Sequence, residues 1–128
     1  MSDPKCARLL LEAAGRDILT LRAMSDLAPD ESFGFHVQLA AEKAFKAWLA
    51  LLGQVYPLRH DLDDLLDLLE SHGAVTGFFR PLAAFTPYAV QFRYEGVGPD
   101  HDPIDRSPSL SLAEALVQHV RDELARIT

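Results

Sequence analysis

The stretch FGFHVQLAAEKAFKAWLALLGQVYPLRHD, residues 33–61, constrains the fold more than any other part of the chain. Its first half has helical periodicity, and after Ala44 the polar face disappears: FKAWLALL carries one charge. A helix that is apolar nearly all round has to be covered on several sides. In a chain of 128 residues this makes it the central stave of a bundle. The spacing predicts a helix from about Phe33 to Leu52, stopped at Gly53. Ala40, Ala41, Ala44 and Ala47 would let a neighbour approach closely. Gln38, Glu42 and Lys46 follow one another at steps of four, with Glu42 ahead of Lys46 in the favourable order for a helical ion pair.

The flanking segments supply its neighbours. Ser2 or Asp3 before Pro4 is a helix start, and Ala7, Leu11, Ala14, Ile18 and Leu21 make one apolar stripe that fades between Ser25 and Pro29. Ser32 or a neighbour is expected to cap the central helix. Gln54 to His60 reads as a loop. Asp61 then caps a third helix, with Asp63 and Asp64 in its first turn, a core stripe of Leu62, Leu65, Leu66 and Leu69, and an end at Gly73. A fourth helix, Phe78 to Phe92, is aromatic but contains Pro81 and Pro87. Either Pro81 opens it and Pro87 kinks it, or it begins at Thr86. Glu95 to Pro108 has loop composition. Ser111 with Glu114 forms a capping box for a fifth helix, with Leu112, Leu116, Val120, Leu124 and Ile127 as its stripe. There is no strand alternation. The expected fold is all-α, an up-and-down bundle of about five helices in one domain spanning 1–128.

Composition narrows the function classes. The net charge of −7 argues against non-specific nucleic-acid binding, which depends on Lys and Arg neutralising phosphates. The single cysteine, Cys6, cannot form an internal disulfide. No apolar run approaches the roughly 18 residues of a membrane span, and the N-terminus lacks a signal-peptide pattern, so a cytoplasmic location is expected. The histidines show no paired ligand spacing for a metal, and no cofactor is expected.

Phe35, His36, Gln38, Ala40, Ala41, Glu42, Lys43, Ala44, Lys46 and Ala47, followed by His60, Asp61, Leu62, Leu65 and Leu66, form a two-part pattern. It resembles the HEPN family (higher eukaryote and prokaryote nucleotide-binding domain). Phe92-Arg93-Tyr94 resembles the arginine–tyrosine pair that ends the fourth helix there. The resemblance covers nearly the whole chain. It implies a helical bundle that binds nucleotides, commonly forms homodimers, and is often associated with a minimal nucleotidyltransferase in toxin–antitoxin-like or nucleotide-handling pairs.

On that reading the nucleotide-binding candidates are Lys43, Lys46, His60 and Arg93. Lys43 and Lys46 lie one turn apart, with His36 on the same strip, and Arg93 would complete a cationic pocket for a phosphate. The bland alternative pairs Glu42 with Lys46 on a solvated face and leaves Lys43 with its stem along the surface. His60 stands at a helix start, where it is either a flank of the cap or part of an anion site. Trp48 and the aromatic group of the fourth helix read as core, or else as an interface.

Nuclease members of the family use an arginine followed by a histidine with four to six residues between them, and no arginine here is followed by a histidine at that spacing. Arg93 and His101 come closest, with seven residues between them. The leading expectation is therefore a binding and partner module that is not an enzyme. The alternatives are a ribonuclease with a degenerate site at Arg93 and His101, and a purely structural homodimer.

Overall fold

The computed structural model describes the backbone of residues 1–128 and every side chain except that of Arg93. The elements are α1 (Pro4–Ala23), α2 (Asp30–Leu51), α3 (Leu62–Ser71), a 3-10 helix (Gly77–Ala89), α4 (Gln91–Glu95) and α5 (Arg106–Ile127), with no strand among the described residues. The fold is the all-α bundle that the periodicity called for.

Helix α2 is its centre. Fifteen of its 22 residues are buried, so it is enclosed on nearly every side. It starts at Asp30, earlier than the expected Phe33, and Ser32 does not cap it. Pro29 precedes the first turn without a side-chain cap. The start is set instead by Asp30, whose carboxylate accepts bonds from Arg106 (2.9 Å) and the Ile104 amide (3.2 Å) while facing the positive end of the helix dipole.

The neighbours pack as follows. α1 is antiparallel to α2: the Asp3 amide donates to Ala50 O (2.8 Å) near one end, and Lys43 reaches Asp17 (2.7 Å) farther along. Its predicted stripe, Ala7, Leu11, Ala14, Ile18 and Leu21, is buried. α5 is antiparallel to α1, with Arg22 on Glu114 and Arg121 beside Gly15. It starts at Arg106 rather than Ser111. Pro108 falls in its first turn, where a missing N–H costs nothing. The capping box does not form, because Ser111 lies inside the helix, and Glu114 pairs with Arg22 instead. The buried face of α5 is Ala113, Leu116, Val117 and Val120, while Ile127, expected in the core, is exposed.

The loop after α2 runs back along it, so that His60 lies beside Gln38 and Glu42. Asp61 then caps α3 as expected, accepting from the Asp63 amide (2.9 Å) and the Asp64 amide (3.4 Å). The fourth segment follows neither predicted course. Gly77–Ala89 is one 3-10 run containing both prolines. A 3-10 helix has three residues per turn. Phe79, Leu82, Phe85 and Tyr88 therefore line one buried face, and Pro81, Ala84 and Pro87 share an exposed one. The segment runs antiparallel to α2, with Phe79 at Trp48 and Tyr88 at Gly34.

Gly34 is required where the 3-10 helix crosses α2. A Cβ there would lie 2.3 Å from Tyr88 Cδ1, and Tyr88 is itself buried. Gly34→Ala is expected to destabilise the fold by about 1–3 kcal/mol through overpacking, despite the better helix propensity of alanine. Urea denaturation of both chains would check this, and equal midpoints would contradict it.

Candidate functional site

A helix enclosed like α2 leaves few polar side chains in contact with water, and those it has must find partners. Three carboxylates organise them. Glu42 is buried. It accepts from Gln38 Nε2 (2.7 Å), Lys46 Nζ (2.9 Å) and the His60 ring (Nδ1 at 2.9 Å). Burial pushes its carboxyl up, but the bonds from Lys46, Gln38 and His60 outweigh this and hold it below the usual carboxylate range. The Glu42–Lys46 pair is therefore not on a solvated face: each side chain is only 10% exposed. Lys46 also stands over the Tyr56 ring, 5.5 Å from its centroid.

Asp17 is the second centre, also buried, and comes from α1. It faces Lys43 (2.7 Å) and His36 Nδ1 (3.3 Å). Asp17 belongs to the polar remainder of α1 in any reading of that helix alone. Nothing in its spacing links it to Lys43.

Between these two centres α2 keeps one open stripe. Ser32 is exposed, and Phe35, His36, Leu39 and Lys43 are half-buried. The steps of three and four put them in one line along the helix. Lys43 is thus at the edge of the stripe and held by Asp17. Lys46 and His60 lie on the far side, held by Glu42. The structure does not bring Lys43, Lys46 and His60 into one free cationic cluster; each stands against a carboxylate. The side chain of Arg93 lies outside the described residues. Its backbone places it on α4, which packs on α2.

The backbone amides at the start of α3 are already used. Leu62 N–H donates to Thr86 Oγ1 (3.1 Å), and the next two donate to Asp61. The third centre is Asp30. Besides Arg106 and Ile104 it binds His101 Nε2 (3.2 Å), while His101 Nδ1 lies 2.7 Å from Gly98 O. Both ring nitrogens are therefore engaged, which favours the protonated ring. The bonds to Gly98 and Asp30 raise the His101 pKa above 6.5, and Asp30 is lowered from 3.8 because its bonds, led by Arg106, outweigh its burial. Among the described residues no group of three or more His, Cys, Asp or Glu side chains is placed to hold a metal ion. No described helix is long and apolar enough to cross a membrane.

The HEPN domain family model matches residues 7–123. No curated protein and no solved structure matches the chain.

Two outcomes follow from the carboxylate centres. Glu42→Gln keeps the shape but leaves the Lys46 ammonium buried without its counter-charge, and is expected to cost roughly 3 kcal/mol in chemical denaturation. A cost under about 0.5 kcal/mol would mean the pair is solvated. The His101 contribution has the opposite pH dependence to that of the carboxylates. With a raised native pKa it stabilises fully below pH 6.5 and fades as the pH rises through that raised value, whereas Asp30 contributes above pH 3.8 and fades as the pH falls through its lowered value. The stability gap between wild type and His101→Asn should therefore be widest near pH 5.5 and shrink by pH 8.5; a gap that grows with pH would contradict the assignment.

Proposed function

The chain belongs to the HEPN domain family, and on that premise we propose that it is a non-catalytic binding module that holds a nucleotide along the open stripe of α2. The observation that supports this is the stripe itself. A helix buried on nearly every other side keeps Phe35, His36, Leu39 and Lys43 at the surface, with charged side chains on both flanks. Phe35 and Leu39 offer an apolar floor on which a base can lie. Lys43, Lys46, His60 and Arg93 are the proposed phosphate contacts. The two lysines are balanced by Asp17 and Glu42, and His36 and His60 stand against the same two carboxylates.

The protein partners we propose are a second copy of this chain and a small nucleotidyltransferase acting beside it in a nucleotide-handling or toxin–antitoxin-like pair. We place the protein in the cytoplasm and treat residues 1–128 as one domain. The engagement of both His101 ring nitrogens supports a role for that residue in holding the loop to Asp30 rather than in proton transfer with Arg93.

Thermal unfolding with added nucleotides tests the proposal. A ligand at 100 times its dissociation constant adds about 2.7 kcal/mol of stability. A nucleoside triphosphate should raise the transition of the wild type, and much less that of a Lys43→Gln chain, each compared with its own ligand-free transition. No shift with any nucleotide at millimolar concentration would leave a structural subunit as the better account.

A further inference from the structure

Away from the α1–α5 seam, every described lysine and arginine is committed to a carboxylate: Lys43 to Asp17, Lys46 to Glu42, Arg59 to Asp64, Arg80 to Asp63, Asp67 and Glu70, and Arg106 to Asp30. The described cations that form no ion pair are Lys5, Arg8, Arg16 and Arg121, and all four are on α1 or α5. Acidic residues outnumber basic ones by 19 to 12, so partners are not scarce. Two of them, Arg16 and Arg121, meet on one side of the molecule, between α1 and α5, whereas Lys5 lines a separate depression beside Tyr56.

That side is concave. Two depressions between α1 and α5, of about 410 and 300 Å³, share Ile18, Arg22 and Arg121, and so form one groove. Arg16, Arg22 and Arg121 all line the smaller part. Gly15 makes this convergence feasible. A Cβ there would lie 2.6 Å from Arg121 Nη2, so the bare backbone lets a guanidinium from α5 reach across to α1. Buried Ile18 and Val117 give the groove an apolar floor, and Ser111 and Gln118 add polar groups at its wider end. Arg22 is neutralised by Glu114, and Glu12 is the one other acid in the lining. The groove keeps a net positive charge in a chain of net charge −7.

We propose that this α1–α5 groove is a second binding site, one that takes a small phosphorylated molecule with its phosphate held between Arg16 and Arg121. A guanidinium presents paired N–H donors that match phosphate oxygens. A phosphate brings more charge than a single carboxylate and several acceptor oxygens, enough to engage both guanidiniums at once. The groove volume fits a small ligand. A nucleic-acid strand is disfavoured, since Glu12 and Glu114 interrupt the row of cations that tracking a phosphate backbone needs. The site shares no residue with the α2 stripe, so it stands or falls separately from it.

Pyrophosphate is the probe, titrated at low ionic strength into the full chain and followed by amide and arginine side-chain NMR. Saturable shifts are expected at Gly15, Arg16, Gln118 and Arg121. Arg16→Gln/Arg121→Gln should weaken binding at least about tenfold, the scale of one lost charge-assisted bond. Both side chains are exposed and unpaired, so its melting temperature should not move. Glu12→Gln, which removes the opposing carboxylate, should tighten binding. The proposal is overturned by the absence of saturable shifts at about 10 mM, by equal affinity in the double arginine variant, or by shifts confined to the α2 stripe. Binding of an RNA oligomer in this groove without binding of pyrophosphate would overturn it equally.

Discussion

The enclosure of α2 is the constraint from which the rest of the structure follows. Burying Val37, Ala41, Phe45, Trp48 and their neighbours provides the apolar gain, but it takes Gln38, Glu42 and Lys46 into the interior with them. An unpaired charge there would be costly. The chain answers by converging polar groups: Gln38, Lys46 and His60 on Glu42, and Lys43 and His36 on Asp17. No buried side-chain nitrogen or oxygen is left without a partner among the described residues. The apolar contacts make the bundle stable, and these polar contacts set how the elements register. Asp17 fixes α1 against α2, His60 ties the returning loop to α2 before α3 begins, and Asp30 ties the long loop and the start of α5 to the first turn of α2.

The same enclosure bears on function. Because the other faces of α2 are covered, the stripe of Phe35, His36, Leu39 and Lys43 is where this helix can meet another molecule. Its lysine is already balanced by Asp17, so the stripe is not a free cationic pocket. The α1–α5 groove is the contrasting case, with arginines left unpaired.

Much of this was legible in the sequence. The central helix, the α1 stripe, the Asp61 cap and the two-part HEPN pattern rest on local signals, namely periodicity, capping chemistry and spacing. What was not legible depends on contacts between distant residues. Asp30 starts α2 because Arg106 and Ile104 reach it from far along the chain. The Ser111 capping box fails because α5 starts at Arg106, which reaches Ser25, Ala28 and Asp30 far along the chain. Asp17 could be joined to Lys43 only once the helices had docked. The 3-10 segment did leave a sign: Phe79, Leu82, Phe85 and Tyr88 recur every third residue, with Pro81 and Pro87 on the opposite face. A long 3-10 run is uncommon, so an α-helix broken by proline is the natural first reading.

Native-state hydrogen exchange tests the central claim most directly. If α2 is the enclosed stave on which the other elements depend, its amides from Val37 to Leu51 should exchange only through global unfolding, with the largest and most uniform protection in the chain, while α4 opens far more easily. Exchange of α2 amides through a local opening that leaves α1 and α5 protected would contradict the account.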